Sequence, residues 1–311
     1  MSKKASYILG ILLTIILGTI LYYYLCCNCF GNVDNEYKET EIKQEVVVPE
    51  VNEVTKNAFA ITDNESNFKI RTNDNFNFKI SDFSILNPIS EKVPSETKLL
   101  KEFLLTNPLK TIDITGYYKS DELNNSAYPN LGLARANAVK NYFVSQDISS
   151  KQIDTKGQLN DDIYPDDSSI LYGPVSFGIL TADKSDTSAI DALKSACDSL
   201  RANPIVLYFK TGEASINLSP QQRQKIADIS HCVDKLDVKV QVVGHTDNTG
   251  VASNNVILGQ QRADFAKRYL IKNGILEQNI QATSKGQTEP IAANNTEEGK
   301  TKNRRTVVTI N

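Results

Sequence analysis

The chain has 311 residues, 40% of them hydrophobic and 23% charged, and 34 basic against 37 acidic residues leave a formal net charge of −3. That length accommodates two domains with appendages, the hydrophobic share excludes a wholly disordered chain, and the charge balance carries no global footprint for nucleic acid. Five cysteines are too few for a disulfide-built scaffold, and two histidines, His231 and His245, exclude a histidine-rich metal site.

Residues 7–27 contain no charge. Roughly 20 helical residues cross a 30 Å hydrocarbon layer, so this stretch is expected to span a membrane. Lys3 and Lys4 precede it, while Asp34, Glu36, Glu39 and Glu41 follow. The basic flank stays inside, which places the N-terminus in the cytoplasm and the bulk of the chain outside the inner membrane, with Tyr22, Tyr23 and Tyr24 at the outer interface. A cleaved signal peptide or a lipoprotein would carry small residues before the processing point, and Leu25 stands before Cys26 instead. Gly10, Thr14 and Gly18 form one small-residue stripe, which reads equally as a surface for self-association or as a lone anchor's scatter. The span has no carboxylate, so ion translocation by this segment alone is not expected. Cys26, Cys27 and Cys29 fit lipidation, crosslinking between chains, or no role, and their spacing points only weakly to a metal.

The domain plan is an anchor over 1–30, a flexible acidic linker over 31–74, and two folded modules over 75–182 and 183–311. Fully stretched, about 40 linker residues reach on the order of 130 Å.

An internal repeat separates the two modules. Ile112-Asp113-Ile114-Thr115-Gly116 returns as Val240-Gln241-Val242-Val243-Gly244, and Leu131-Gly132 followed by Arg135-Ala136 returns as Leu258-Gly259 followed by Arg262-Ala263. Thr155-Lys156-Gly157-Gln158 returns as Ser284-Lys285-Gly286-Gln287. The second copy reads as an apolar strand from Ile205, a helix opened by Ser219-Pro220 with Gln222 completing a capping box, and an alternating strand through Val238, Val240 and Val242. A second helix buries Ala263, Ala266 and Leu270 and stops at Asn273-Gly274; strands follow from Ile280 and from Thr306. Each module is thus α+β, with a small mixed sheet and its helices on one face.

The run Gly244-His245-Thr246-Asp247-Asn248-Thr249-Gly250, with Asn255, Arg262-Ala263, Gly286, Pro290, Gly299 and Asn303-Arg304-Arg305, resembles the OmpA-like C-terminal domain over roughly residues 195 to 311. The resemblance implies non-covalent binding of peptidoglycan through the diaminopimelate of its stem peptide, gripped by Asp247 and Arg262. The free end of meso-diaminopimelate bears an ammonium and a carboxylate on one carbon, so its binder needs an anion beside a forked cation. Arg262 is expected in the first turn of its helix, with Gly259 as N-cap and the helix dipole helping. Thr246, Asn255, Asn303 and Arg304 are the expected neighbours, and either Arg304 or Arg305 braces the fold. The plain alternative makes Asp247 a turn cap, Arg262 a solvated helix residue and His245 a structural turn residue. The family's usual aspartate after the first strand is replaced by Lys210. A subset of the family carries a cysteine pair like Cys197 and Cys232, which implies a disulfide in an exported chain.

In the first copy Tyr117, Tyr118 and Lys119 stand where His245, Thr246 and Asp247 stand in the second, and Asn-Arg-Arg is missing. That module is expected to keep the fold and lose the site, serving as a spacer or as a surface for another protein. The whole reads as a non-enzymatic wall binder of a Gram-negative envelope, needing no cofactor or metal. Its rivals are a wall-anchoring part of a secretion, motility or stator-like machine, and an enzyme of wall turnover.

Overall fold

The computed structural model describes residues 13–22, 53–182, 187–209 and 217–311. Residues 13–22 are helical and lie inside the expected membrane span. The rest of that span, Cys26, Cys27, Cys29, Lys210 and the first half of the linker lie outside the described residues. Among the described residues, no helix is long and apolar enough to cross a membrane.

Residues 52–311 form one compact unit. Order begins earlier than the expected linker boundary at 74, because β1 (Phe59–Asp63) and β2 (Phe68–Thr72) pair as an antiparallel hairpin. Their alternation drives this: Phe59, Ile61 and Ile70 are buried, while Thr62, Lys69 and Arg71 face water. The first module continues with β3 (Asn77–Lys79), α1 (Lys92–Thr106), β4 (Lys110–Tyr118), α2 (Leu131–Ser145), β5 (Ile153–Leu159), β6 (Ile170–Tyr172) and β7 (Val175–Thr181). β4 lies between parallel β5 and antiparallel β7, and β3 pairs with β6. One core joins Leu100 and Leu104 of α1, Ile112 and Ile114 of β4, and Val139 and Phe143 of α2 with the hairpin.

The second module comprises α3 (Ser188–Ala202), β8 (Ile205–Tyr208), α4 (Pro220–Leu236), β9 (Val240–His245), α5 (Ala252–Lys272), β10 (Ile280–Gly286), α6 (Glu297–Asn303) and β11 (Arg305–Ile310). Its sheet runs β10-β9-β11-β8, with β9 parallel to β10 and antiparallel to β11. Val240, Val242, Val308 and Ile310 point from one face of the sheet into a core shared with Leu200, Ile229, Val233, Ala263, Ala266 and Leu270 of the three long helices. Ser219 caps α4 in a complete capping box with Gln222, and Asn273 with Gly274, at φ +92°, ends α5. Cys197 of α3 and Cys232 of α4 are joined by a disulfide, both fully buried.

α5 is longer than its sequence suggests. It begins at Ala252, so Gly259 is an interior residue rather than an N-cap, and Arg262 lies in the third turn rather than the first. The helix dipole at the N-terminus therefore does not reach Arg262. Gly259 serves a different purpose: it lets the helix touch β9, where a Cβ on Gly244 would collide with the Gly259 carbonyl. Gly116 and Gly132 make the same contact between β4 and α2.

The two modules are welded through α2 and α4. Lys140 Nζ meets Asp234 Oδ2 at 2.6 Å with the two side chains 3% and 14% exposed, and also reaches Ser230 Oγ at 3.4 Å. The buried Tyr128 hydroxyl donates to Ser230 Oγ, Arg223 donates to the Ser126 carbonyl, and the Ala127 N–H donates to Asn273 Oδ1. Burial pushes the Tyr128 hydroxyl's pKa well up, so it stays protonated and remains a donor.

Candidate functional site

The ends of β9 and the start of β11 converge on Asp247. Its Oδ2 accepts from Arg304 Nη1 at 2.8 Å, and its Oδ1 accepts the Thr249 N–H at 2.9 Å. Burial pushes the Asp247 carboxyl up, but the Arg304 hydrogen bond and the Thr249 N–H outweigh it and hold the group below the usual carboxylate range. Arg262, half-buried on α5, donates from Nη1 to the His245 carbonyl at 2.9 Å and makes no other hydrogen bond among the described residues. Burial pulls its pKa down, Asp247 opposes this and Arg304 adds to it. Asp247 is paired with Arg304 and lies close enough to Arg262 to act on its charge, and the Arg262 fork keeps donors to spare.

The remaining expected residues separate by role. Thr246 Oγ1 donates to the Asp247 carbonyl, and Asn255 Nδ2 reaches the carbonyls of Asp247 and Thr249 and Oε1 of Gln287. Both are buried and shape the loop that carries Asp247. Asn303 is not available to a ligand. Its Oδ1 accepts the Ile291 and Ala292 N–H groups, its Nδ2 donates to the Ala292 carbonyl and Asn294 Oδ1, and it is fully buried. With two donors and two lone pairs all engaged, it is a clamp on the 291–294 loop. Of the two arginines, Arg304 joins the site, steadied by Thr301 Oγ1, while Arg305 is buried and donates to the Glu289 carbonyl. Gln287 was not among the expected residues, although its recurrence with Gln158 in the repeat marks it.

His245 is buried, and its Nδ1 has no hydrogen-bond partner among the described residues. Burial, then Arg305, pulls its pKa from 6.5 to about 4. An imidazole that resists protonation in the fold but not in the unfolded chain costs stability as pH falls from 6.5 toward about 4, with full stability above and a plateau below. The expected loss across that window approaches ~3 kcal/mol. Urea unfolding at pH 7.5 and pH 4.5 checks it, and His245→Asn should flatten the difference.

The sequence model of the OmpA family matches residues 78–169 and again 208–304, more than half of the chain. The chain belongs to the OmpA family. Each module thus contains one matched segment, and the Asp247 site lies in the second. Among curated relatives, the peptidoglycan-binding protein ArfA of Mycobacterium tuberculosis is 33% identical over 120 residues, 38% of this chain and 36% of that protein. The peptidoglycan-associated lipoprotein of Buchnera aphidicola is 43% identical over 70 residues, 22% of this chain and 40% of that protein. These matches therefore span well under half of each relative's length. Among solved structures, the peptidoglycan-associated lipoprotein of Burkholderia pseudomallei aligns at 24% identity with a TM-score of 0.31, covering 34% of this chain and 89% of that one.

The first OmpA segment holds the corresponding places differently. Lys119, in the position of Asp247, sends Nζ to the Asp161 carbonyl at 2.9 Å and lies over the Tyr164 ring. The segment retains Arg135, but that side chain is fully buried.

Proposed function

We propose that the second OmpA module binds peptidoglycan non-covalently, taking the zwitterionic end of the diaminopimelate stem peptide between Asp247 and Arg262. The observation that carries this is a largely buried carboxylate, whose charge Arg304 secures, within electrostatic reach of an arginine fork that makes one hydrogen bond among the described residues. The ligand ammonium joins Asp247, whose oxygens have lone pairs left after Arg304 and Thr249, and the ligand carboxylate lies on Arg262. Arg304 keeps Asp247 ionised and positioned, and Thr246, Asn255 and Gln287 hold the loop. No acid–base pair or nucleophile enters this reading, so the chain acts as a binder. The names of the curated relatives support a wall ligand, and the uncharged stretch over 7–27 supports an inner-membrane tether with the modules in the periplasm.

Co-sedimentation with isolated sacculi tests the site. Asp247→Asn and Arg262→Ala are each expected to weaken retention by about 10- to 100-fold, the worth of one charge-assisted contact. Retention unchanged in both variants, with folding verified by circular dichroism, would remove these residues from the site.

A further inference from the structure

The first module's counterpart of Arg262 is not idle. Arg135 stands three residues after Gly132, as Arg262 stands three after Gly259, and the two glycines press on Gly116 and Gly244 in the same way. Arg135 Nη1 donates to the Tyr117 carbonyl at 2.8 Å, and Arg262 Nη1 donates to the His245 carbonyl at 2.9 Å; both acceptors follow those strand glycines by one residue. The two guanidinium groups thus share this seat, and Arg135 is held further by the Asp82 carbonyl from Nε at 3.0 Å and the Lys79 carbonyl from Nη2 at 3.3 Å. They differ in what lies on the fork. Glu122 closes on Arg135 with both oxygens, Oε2 from Nη1 at 3.0 Å and Oε1 from Nη2, with side-chain exposures of 0% for Arg135 and 1% for Glu122. The same carboxylate accepts the Ser81 and Lys119 N–H groups, each at 2.8 Å, so it is held by donors from three directions.

The two modules also differ in helix length next to this position. α5 starts seven residues before Gly259, whereas α2 starts one residue before Gly132, capped by Asn130. The residues that extend α5 in the second module are a loop in the first, and Glu122 lies just before that stretch, ten residues ahead of Gly132.

We infer that the first module retains a carboxylate-binding site of the Arg262 type and that Glu122 fills it as the chain's own ligand. The ligand class is a simple carboxylate, because Lys119 replaces the anion that an ammonium would need. Describing Glu122 as a ligand stand-in rests on the proposed role of Arg262, but its test does not use Arg262, sacculi or the second site, so either idea can fail alone.

Chemical rescue in the full chain tests the inference. Glu122→Ala leaves a buried guanidinium without its counter-ion, though still on the Tyr117, Asp82 and Lys79 carbonyls, and should lower Tm by about 10 °C. Glu122→Ser opens the same space while keeping a hydroxyl for the Ser81 and Lys119 N–H groups. If acetate occupies the space with a Kd on the order of 0.1 M, ~0.5 M sodium acetate should raise the Tm of either variant by about 3 °C over equal sodium chloride. Wild type and Glu122→Ala/Arg135→Met should show no preference for acetate. A variant that folds only in acetate would also support the inference. Equal Tm in acetate and chloride for both single variants, or failure of both to fold in either salt, would overturn it.

Discussion

Asp234→Ala is expected to destabilise residues 52–311 by about 3–5 kcal/mol, far more than a surface ion pair would cost. Lys140 Nζ is buried between the modules, and among the described residues its remaining partner is Ser230 Oγ at 3.4 Å. Removing Asp234 leaves that ammonium, itself 3% exposed, without its counter-charge. Lys140→Met should cost less, because it removes the buried charge and leaves Asp234 on the more exposed side of the pair. Lys140→Met/Asp234→Leu should come closest to wild type, since two apolar groups have no charge to desolvate. Denaturant unfolding checks all three. A loss below about 1 kcal/mol for Asp234→Ala would mean that the interface yields enough to hydrate Lys140.

The second large effect is expected on reduction. The Cys197–Cys232 bond closes 35 residues of sequence, including β8 and most of α4. Constraining a loop of that length in the unfolded chain is worth about 3–4 kcal/mol. Reduction, or Cys232→Ala, should lower the unfolding midpoint accordingly, and peptide maps with and without reductant should show the bond in the native chain. Because both sulfurs are fully buried, reduction should require partial unfolding and proceed slowly in native buffer. Two free thiols in the non-reduced map would contradict the bond itself.

Much of this fold is written in local sequence. Ser219-Pro220 with Gln222, the stop at Asn273-Gly274 and the alternation of Val240 and Val242 all have local causes, and each element forms as those causes require. The β1–β2 hairpin was legible by the same rule, since Phe59, Ile61 and Ile70 alternate with polar residues; the surrounding Asn- and Glu-rich composition hid it. The start of α5 was not legible. Val256, Ile257 and Leu258 are exposed, so the first turns lack the apolar face that marks a helix, and glycine at 259 resembled a boundary. In the site, Asp247 and Arg262 came from a spacing pattern. The roles of Asn303 and Glu122 depend on partners far along the chain or on loops without periodicity, and no spacing encodes them. Asn303 shares a motif with Arg304 yet faces the opposite way, into the 291–294 loop.

The weld between α2 and α4 has a mechanical consequence. In the proposed function, tension enters the folded part near residue 53 and leaves at the wall through Asp247 and Arg262. If the covalent connection around 182–187 bore that load alone, the modules would separate at modest force and the reach of the anchor would lengthen under strain. The Lys140–Asp234 pair, with Arg223 and Asn273 beside it, makes a second path in parallel, running from α2 into α4 and the end of α5. The two modules should therefore stretch as one stiff strut.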